Sequence, residues 1–216
     1  MAHAQSLEQP FAMGPQMTNG KFAMWLFLGT EILFFTALIG TYAIIRIGSP
    51  ELWPEVGPVG VLNIPLTAAN TFLLIFSSVT MIKAFEFATK DNQTRMKWYL
   101  VATAVIGAAF VGVQAFEYYT LFHEGFHPGS KELGEHLLEK GFTAKGLGMF
   151  ASTFYIMTGF HGLHVTGGVI AIACLSVQAF RGKYGKDEHT SIEAVGLYWH
   201  FVDLVWIILF TVVYLV

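Results

Sequence analysis

The 216 residues are 54% hydrophobic and 12% charged, with a mean hydropathy of +0.55 and a formal net charge of −3. This composition is typical of an integral membrane protein and excludes an ordinary soluble domain. No basic stripe with interleaved aromatic residues is present, so we expect no nucleic-acid partner. The single cysteine, Cys174, excludes a disulfide framework.

Five apolar stretches are long enough to cross a hydrocarbon layer about 30 Å thick, which takes roughly 20 helical residues. They are approximately residues 22–45, 61–82, 97–120, 148–180 and 194–216. The connections between them are too short and too polar to form a second core. The sequence therefore predicts an all-α, polytopic membrane protein with a bundle of five transmembrane helices. Residues 21–216 form its single domain, and the segment 1–20 has none of the features of a secretory signal.

The distribution of lysine and arginine predicts the orientation of this bundle. Of the 12 such residues, eight fall on the side that holds the N-terminus, namely Lys21, Lys83, Lys90, Arg95, Lys97, Arg181, Lys183 and Lys186. The other side holds Arg46, Lys131, Lys140 and Lys145. By the positive-inside rule, the segment 1–20 is cytoplasmic and the C-terminus lies outside.

The first helix carries an acid, Glu31, about ten residues from its start and hence roughly 15 Å deep at 1.5 Å per residue. Phe27, Phe34, Phe35 and Leu38 make its helical surroundings apolar. An acid near the bilayer midplane is either hydrogen-bonded to a neighbouring helix as a structural group or takes part in function.

The second helix has a stripe of polar side chains on one face, formed by Asn63, Thr67, Asn70 and Ser77. Such a stripe either lines a pore or supplies hydrogen bonds between helices. The hydrophilic stretch from Lys83 to Lys97 then predicts a cytoplasmic loop.

The third helix repeats small residues at Ala104, Ala108 and Gly112, a spacing that predicts close packing against another helix. Gln114 and Glu117 mark its outer end, where we expect the Glu117 carboxylate to reach water. Glu117 is there either a satisfied interfacial residue or a catalytic one.

The outer loop, residues 121–147, contains His123, His127 and His136, so a metal site has to be considered. Glycine and proline residues interrupt any helical face there, and no cysteine joins the histidines. The spacing therefore predicts no specific metal site.

Two further intramembrane pairs stand at i, i+3: His161 with His164 in the fourth helix, and His200 with Asp203 in the fifth. Together with Glu31 they predict a buried polar network in which carboxylates and imidazoles satisfy one another. A metal cage assembled from the same five residues on different helices is the alternative. We predict the network, with Asn70, Gln114 and Glu117 as secondary polar positions, and no catalytic residue or metal ligand in the chain.

Two long motifs, residues 152–165 (STFYIMTGFHGLHV) and 198–206 (YWHFVDLVW), closely resemble the strongest signatures of subunit III of the haem-copper respiratory oxidases. Three supporting segments are similar to family segments in the same order: residues 25–35, the pair Asn70-Thr71, and residues 114–119 (QAFEYY). The resemblance covers about residues 21–216. It indicates the five-helix bacterial form, because seven-helix members have two more helices before the one that bears the Glu31 equivalent.

This resemblance implies a non-catalytic subunit of a bacterial proton-pumping terminal oxidase, in the cytoplasmic (inner) membrane. It implies no haem or copper in this chain; both belong to partner subunits, and the partners are the catalytic subunit I, other oxidase subunits and membrane lipid. In the family, such subunits support proton uptake or oxygen access and are associated with bound phospholipid in a cleft. The missing first two helices leave open whether another chain closes that cleft.

Three other interpretations remain at this point. Family members also occur in quinol oxidases and as accessory proteins of nitric oxide reductases, so the resemblance fits these two roles as well. A free-standing proton-coupled transporter is the alternative of another class, for which internal repeats and broken helices are expected.

A reporter fused to the C-terminus tests the orientation. We expect alkaline phosphatase to be active there, because the positive-inside rule places this end outside. The same enzyme inserted between Lys83 and Lys97 should be inactive and serves as the control. A C-terminal reporter that works only in the cytoplasm would overturn the predicted orientation.

Overall fold

The computed structural model describes residues 18–50, 62–128, 144–184 and 189–215. Within these ranges it contains no strand and five long helices, each apolar enough to cross a membrane. They are α1 (Asn19–Gly48), α2 (Ile64–Thr89), α3 (Gln93–His123), α4 (Ala144–Phe180) and α5 (Thr190–Phe210), and α5 continues into a π-helical turn, Thr211–Leu215. The predicted all-α, five-helix membrane protein is confirmed. Its orientation stays a prediction, and residues 1–17 of the N-terminal segment lie outside the described ranges.

The stretch from Lys83 to Lys97, predicted as a loop, is helical except for residues 90–92. At the end of α2, Glu86 accepts hydrogen bonds from the Nζ atoms of Lys83 at 2.7 Å and Lys90 at 2.6 Å. These charged side chains therefore pair along the helix and do not interrupt it. The turn itself uses Asp91 in the left-handed region, with φ at 55°. The loop prediction was wrong because falling hydropathy marks the edge of the bilayer, whereas these helices continue beyond it.

Helices α2 to α5 form a ring in which α2 contacts α3, α3 contacts α4, α4 contacts α5, and α5 contacts α2. Helix α1 lies outside this ring, against α5 and to a smaller extent α4, and it is the most exposed of the five. Its buried side chains, Leu28, Phe35 and Tyr42, are spaced by seven residues. Helix α1 therefore attaches to the ring through one narrow stripe.

Two tryptophans on α5, seven residues apart, connect the four helices of the ring. Trp199 donates its indole N–H to Ser77 Oγ at 2.9 Å, and Trp206 donates to Thr71 Oγ1 at 2.9 Å, so both hydrogen bonds cross to α2. An indole N–H buried in a bilayer has no water to bond, so it needs a protein acceptor. These two bonds set the register of α5 against α2.

The Trp199 ring fills the space between α3 and α4 because both helices have a glycine there. A Cβ added at Gly107 would lie 2.6 Å from Trp199 Cη2, and one added at Gly168 would lie 2.8 Å from the same ring. Neither distance is compatible with a side chain unless the indole moves. The glycines are needed here for close approach, and they let one side chain touch three neighbouring helices.

Substitution of Gly107 by alanine tests this packing. We expect Gly107→Ala to destabilise the bundle by about 1–3 kcal/mol, the usual cost of overpacking a filled core. The control on the same helix is Gly112→Ala, because nothing lies within 4 Å of a Cβ at Gly112. Thermal unfolding in detergent should show a lower midpoint for the first variant and an unchanged or higher one for the second. Equal midpoints would contradict the assignment of Trp199 as a tightly packed centre.

Candidate functional site

Glu31 and His164 meet on the seam between α1 and α4. The Glu31 Oε2 atom lies 2.9 Å from His164 Nε2, and the side chains are 16% and 18% exposed. Both residues lie near the middle of their helices, so the two side chains meet at one level. An ionisable pair is thus held at bilayer depth with one edge open to the outside of the bundle.

The second ring nitrogen of His164 determines where the hydrogens of this pair lie. His164 Nδ1 is 2.7 Å from the carbonyl oxygen of Phe160, which can only accept, so Nδ1 carries a hydrogen. A hydrogen bond between Nε2 and the Glu31 carboxylate, 2.9 Å apart, needs one further hydrogen between these two atoms.

Aromatic rings and a tyrosine hydroxyl hold this pair in place. The His164 ring lies 5.2 Å from Phe35 and 6.4 Å from Phe34, centroid to centroid. Tyr198 Oη on α5 donates to the backbone carbonyl of His164 at 2.8 Å. The seam therefore joins α1, α4 and α5 at one level of the membrane.

His161 points away from this seam into the centre of the ring. It is fully buried, stacks on Trp206 at 4.9 Å, and has edge contacts with Phe110 and Phe35 at 6.2 and 6.5 Å. Among the residues that the structure describes, none gives either ring nitrogen a hydrogen bond. The i, i+3 spacing therefore does not bring His161 and His164 to one site.

The two side chains of the pair on the fifth helix interact electrostatically but are not hydrogen-bonded to each other. Asp203, 7% exposed, accepts a hydrogen bond from Ser78 Oγ on α2 at 2.7 Å. His200 is half-buried and makes no hydrogen bond within the described ranges. Of the five residues predicted as one network, the structure joins Glu31 to His164 and leaves the other three with different surroundings.

The secondary polar positions fasten neighbouring helices. Asn70 Nδ2 donates to the Phe110 carbonyl at 3.2 Å, and Gln114 Nε2 donates to the Thr158 carbonyl at 2.9 Å. Glu117 accepts hydrogen bonds from Thr67 Oγ1 at 3.0 Å and Tyr214 Oη at 3.3 Å. It is 7% exposed, so the expectation that its carboxylate reaches water was wrong, since neighbouring helices cover the outer end of α3 at this position.

The polar stripe of α2 supplies interhelical hydrogen bonds at three of its four positions. Thr67 bonds Glu117, Asn70 bonds α3, and Ser77 accepts from Trp199. Asn63 has another role, because its side chain accepts from the backbone N–H of Leu66 and caps the start of α2. Of the two interpretations of this stripe, the structure matches interhelical bonding.

No three histidine, cysteine, aspartate or glutamate side chains of the described residues come together as a possible metal site. The cage of Glu31, His161, His164, His200 and Asp203 is therefore not assembled. Of the histidines in the predicted loop, His123 is the last residue of α3 and contacts Tyr119, and His127 contacts Phe122. His136 lies outside the described residues.

Sequence reasoning missed several residues that organise the site: Ser78, Tyr198, Trp199, Trp206 and Tyr214. A usable signal was present for two of them, since tryptophans spaced by seven residues fall on one helical face opposite hydroxyl-bearing positions of α2. No spacing rule indicated that Ser78 would bond Asp203 or that Tyr198 would bond His164.

The chain is similar in sequence to a family of known proteins. The family model described as cytochrome c oxidase subunit III matches residues 13–124 and 135–216. The chain is 39% identical over 196 residues to a cytochrome c oxidase subunit 3 of Synechocystis sp., covering 90% of this chain and 74% of that protein. It is 38% identical over 192 residues to one of Thermostichus vulcanus, covering 88% and 84%. A probable cytochrome c oxidase subunit 3 of Nocardia farcinica is 36% identical over 203 residues, covering 94% and 89%.

A double-mutant cycle measures the strength of the α1–α4 link. We expect Glu31→Gln and His164→Gln to show a coupling energy of about 1–2 kcal/mol, because a hydrogen bond between ionisable groups is stronger than a neutral interhelical one. The comparison cycle is Lys21 with Glu193, a 2.7 Å pair at the more exposed ends of α1 and α5, for which we expect about 0.5 kcal/mol or less. Unfolding midpoints in detergent give both values. Equal coupling energies in the two cycles would show that the Glu31–His164 pair is no stronger than an exposed ion pair.

Proposed function

The chain belongs to the cytochrome c oxidase subunit III family, and from this we propose that it is the non-catalytic subunit III of a bacterial cytochrome c oxidase. It is a multi-pass membrane protein of a multi-subunit terminal oxidase. In this proposal, catalytic subunit I and other partners carry the haem and copper, and electrons do not pass through this chain. The relatives are cytochrome c oxidase subunits, which supports cytochrome c as the electron donor, in preference to quinol or a nitric oxide reductase partnership.

The observation that carries this proposal is how the intramembrane acids are bonded. Each one joins two helices: Glu31 joins α1 to α4, Asp203 joins α2 to α5, and Glu117 joins α2 to α3. A transporter or a membrane enzyme needs such groups to converge on a substrate path. Acids that hold helices together instead suit a rigid subunit that supports a catalytic neighbour.

Glu31 and His164 are the groups through which this subunit would assist proton uptake. The two side chains are hydrogen-bonded to each other in the membrane-spanning parts of α1 and α4, and their exposed edge is open to a partner or to lipid. We assign to this pair the support of proton delivery in the catalytic subunit, with a phospholipid or a partner chain covering the seam. We place the chain in the cytoplasmic membrane of a bacterium, with its N-terminus on the cytoplasmic side.

Copurification tests the proposed function. The chain, tagged and extracted in mild detergent from its own cells, should retain larger partner subunits and give a reduced-minus-oxidised visible spectrum with haem a bands. Mass spectrometry of the retained polypeptides identifies the partners. Haem b and o bands without haem a would instead identify the complex as a quinol oxidase.

A purified chain that is colourless and without partners would contradict an oxidase subunit.

The variant Glu31→Gln tests the role assigned to the Glu31–His164 pair. We expect assembly and spectrum to be retained and proton uptake or sustained turnover of the complex to fall by about tenfold or less, a barrier change of up to about 1.4 kcal/mol. Unchanged turnover and unchanged proton uptake would remove the pair from the mechanism.

A further inference from the structure

The sequence places a glycine directly after Asn19, in the first turn of α1. The other three asparagines of the chain, Asn63, Asn70 and Asn92, are followed by isoleucine, threonine and glutamine. The backbone nitrogen that follows an asparagine can attack the side-chain carboxamide, because the two groups together close a succinimide ring. A Cβ on the following residue hinders this attack and restricts the backbone, and glycine has none. The sequence therefore singles out Asn19 as the most reactive asparagine.

Both residues of this pair are accessible in the structure. Asn19 and Gly20 are exposed, and a Cβ added at Gly20 would meet no atom within 4 Å. The helix begins at Asn19, after Thr18 as its extended N-cap. Among the described residues no acceptor pairs with the Gly20 N–H, as is usual for the first N–H groups of a helix. The attacking nitrogen is therefore not held in a backbone hydrogen bond of α1.

The first turn is also where the backbone of α1 can rotate most easily. Ring closure requires the bond between Cα and the carbonyl carbon of Asn19 to leave its helical angle. This rotation disrupts the capping bond from the Lys21 N–H to Thr18 Oγ1, which is long at 3.5 Å, and the 3.0 Å bond from the Phe22 N–H to the Thr18 carbonyl. Helix ends fray, so the reactive conformation is reached there at lower cost than in the helix interior.

The local electrostatics favour the reaction. The Gly20 nitrogen gives its proton to a base in the water, and its attack on the carboxamide produces an anionic intermediate. The N-terminal end of a helix carries a partial positive charge that stabilises an anion. Lys21 adds a full positive charge, part of which Glu193 offsets through its 2.7 Å ion pair. The contribution that remains in full is that of the helix end.

We propose that Asn19-Gly20 is a site of spontaneous covalent modification, at which the asparagine is converted into aspartate and isoaspartate. The Gly20 nitrogen bonds to Asn19 Cγ, the bond from Cγ to the amide nitrogen breaks, and the leaving group takes up a proton and departs as ammonia. Water then adds to either carbonyl carbon of the succinimide and breaks its bond to the ring nitrogen, which regains a proton. The reaction consumes water and releases ammonia without a change of oxidation state, and it does not depend on the proposed oxidase role.

The two products affect α1 differently. Opening at Cγ gives aspartate, whose charge in the first turn interacts favourably with the helix dipole. Opening at the backbone carbonyl carbon gives isoaspartate, in which the main chain runs through the side-chain carboxyl and gains a methylene group. The helical path from Thr18 to Phe22 is then lost, and with it the turn that presents Lys21 to Glu193. Isoaspartate therefore loosens one attachment of α1 to α5.

Mass spectrometry of the ageing protein tests the site. The full-length chain in detergent is incubated at mildly alkaline pH, and the peptides that contain its asparagines are followed with time. We expect the Asn19 peptide to gain the mass of an amide-to-acid change and to separate into aspartate and isoaspartate forms. The rate should rise with pH, because the attacking nitrogen has to lose its proton.

The internal control is Asn92, which is also exposed at the start of a helix but precedes Gln93. It should keep its amide. A synthetic peptide of residues 16–24 shows that the conditions support the reaction. An Asn19 that stays intact in the protein while this peptide reacts overturns the proposal, as does an equal rate at Asn92.

Two alanine substitutions on α1 separate the chemistry from helix stability. Gly20→Ala should slow the reaction by about tenfold, because the added Cβ hinders ring closure at the adjacent nitrogen. Gly29→Ala is the matched control, since a Cβ meets no atom within 4 Å at either glycine and both changes favour the helix. The control should react at the wild-type rate. A wild-type rate in Gly20→Ala would contradict the Gly20 nitrogen as the attacking group.

Hydrogen exchange tests the effect on the helix. The backbone amides of Lys21 and Phe22 should exchange faster in the aged chain than in the fresh one. The variant Asn19→Asp has the new charge on a normal main chain and should exchange at the rate of the fresh chain. Equal exchange in the aged and fresh chains would overturn the loosening of α1 by isoaspartate.

Discussion

The hydrogen bonds that Trp199 and Trp206 donate to α2 are the interactions on which the rest of the bundle depends. Each indole has to satisfy its N–H without water, and each does so on a hydroxyl of α2. With those bonds made, the Trp199 ring lies between Gly107 and Gly168, and the Trp206 ring lies on His161. One face of α5 therefore determines how closely α2, α3 and α4 approach one another.

The ionisable groups extend this arrangement. Asp203, between the two tryptophans in sequence, adds a third bond from α5 to α2, and Glu117 closes the outer end of α2 and α3. Glu31 lies outside the ring, on the helix that packs least tightly, and joins that helix to α4. A subunit organised in this way has a stiff centre and one outer helix held by the Glu31–His164 bond and the Lys21–Glu193 ion pair. This arrangement agrees with support of a neighbour more than with transport of a substrate.

Hydropathy alone was enough to predict five helices, because the bilayer requires long apolar stretches and leaves few alternatives. It did not predict where α2 ends and α3 begins. Glu86 lies in the part of α2 that continues outside the apolar layer, and Lys90 and Asp91 form the turn to α3. Sequence reasoning selected the titratable residues of the apolar stretches, of which the structure buries His161 and Asp203 and leaves Glu31, His164 and His200 partly exposed. Their pairing was not predictable, because His161 and His164 are neighbours on one helix but face different helices, and that choice depends on how α1 and α5 pack against α4.

The contact between Glu31 and His164 spans 133 residues of sequence. A ribosome adds roughly 5–20 residues per second, so α1 is complete on the order of ten seconds before the imidazole that pairs with Glu31 is made. During this interval α1 already contains its acid and has neither α4 nor α5 beside it. The helix that is synthesised first is therefore among the last to reach its final position, and assembly of this chain begins with a segment waiting for its partner.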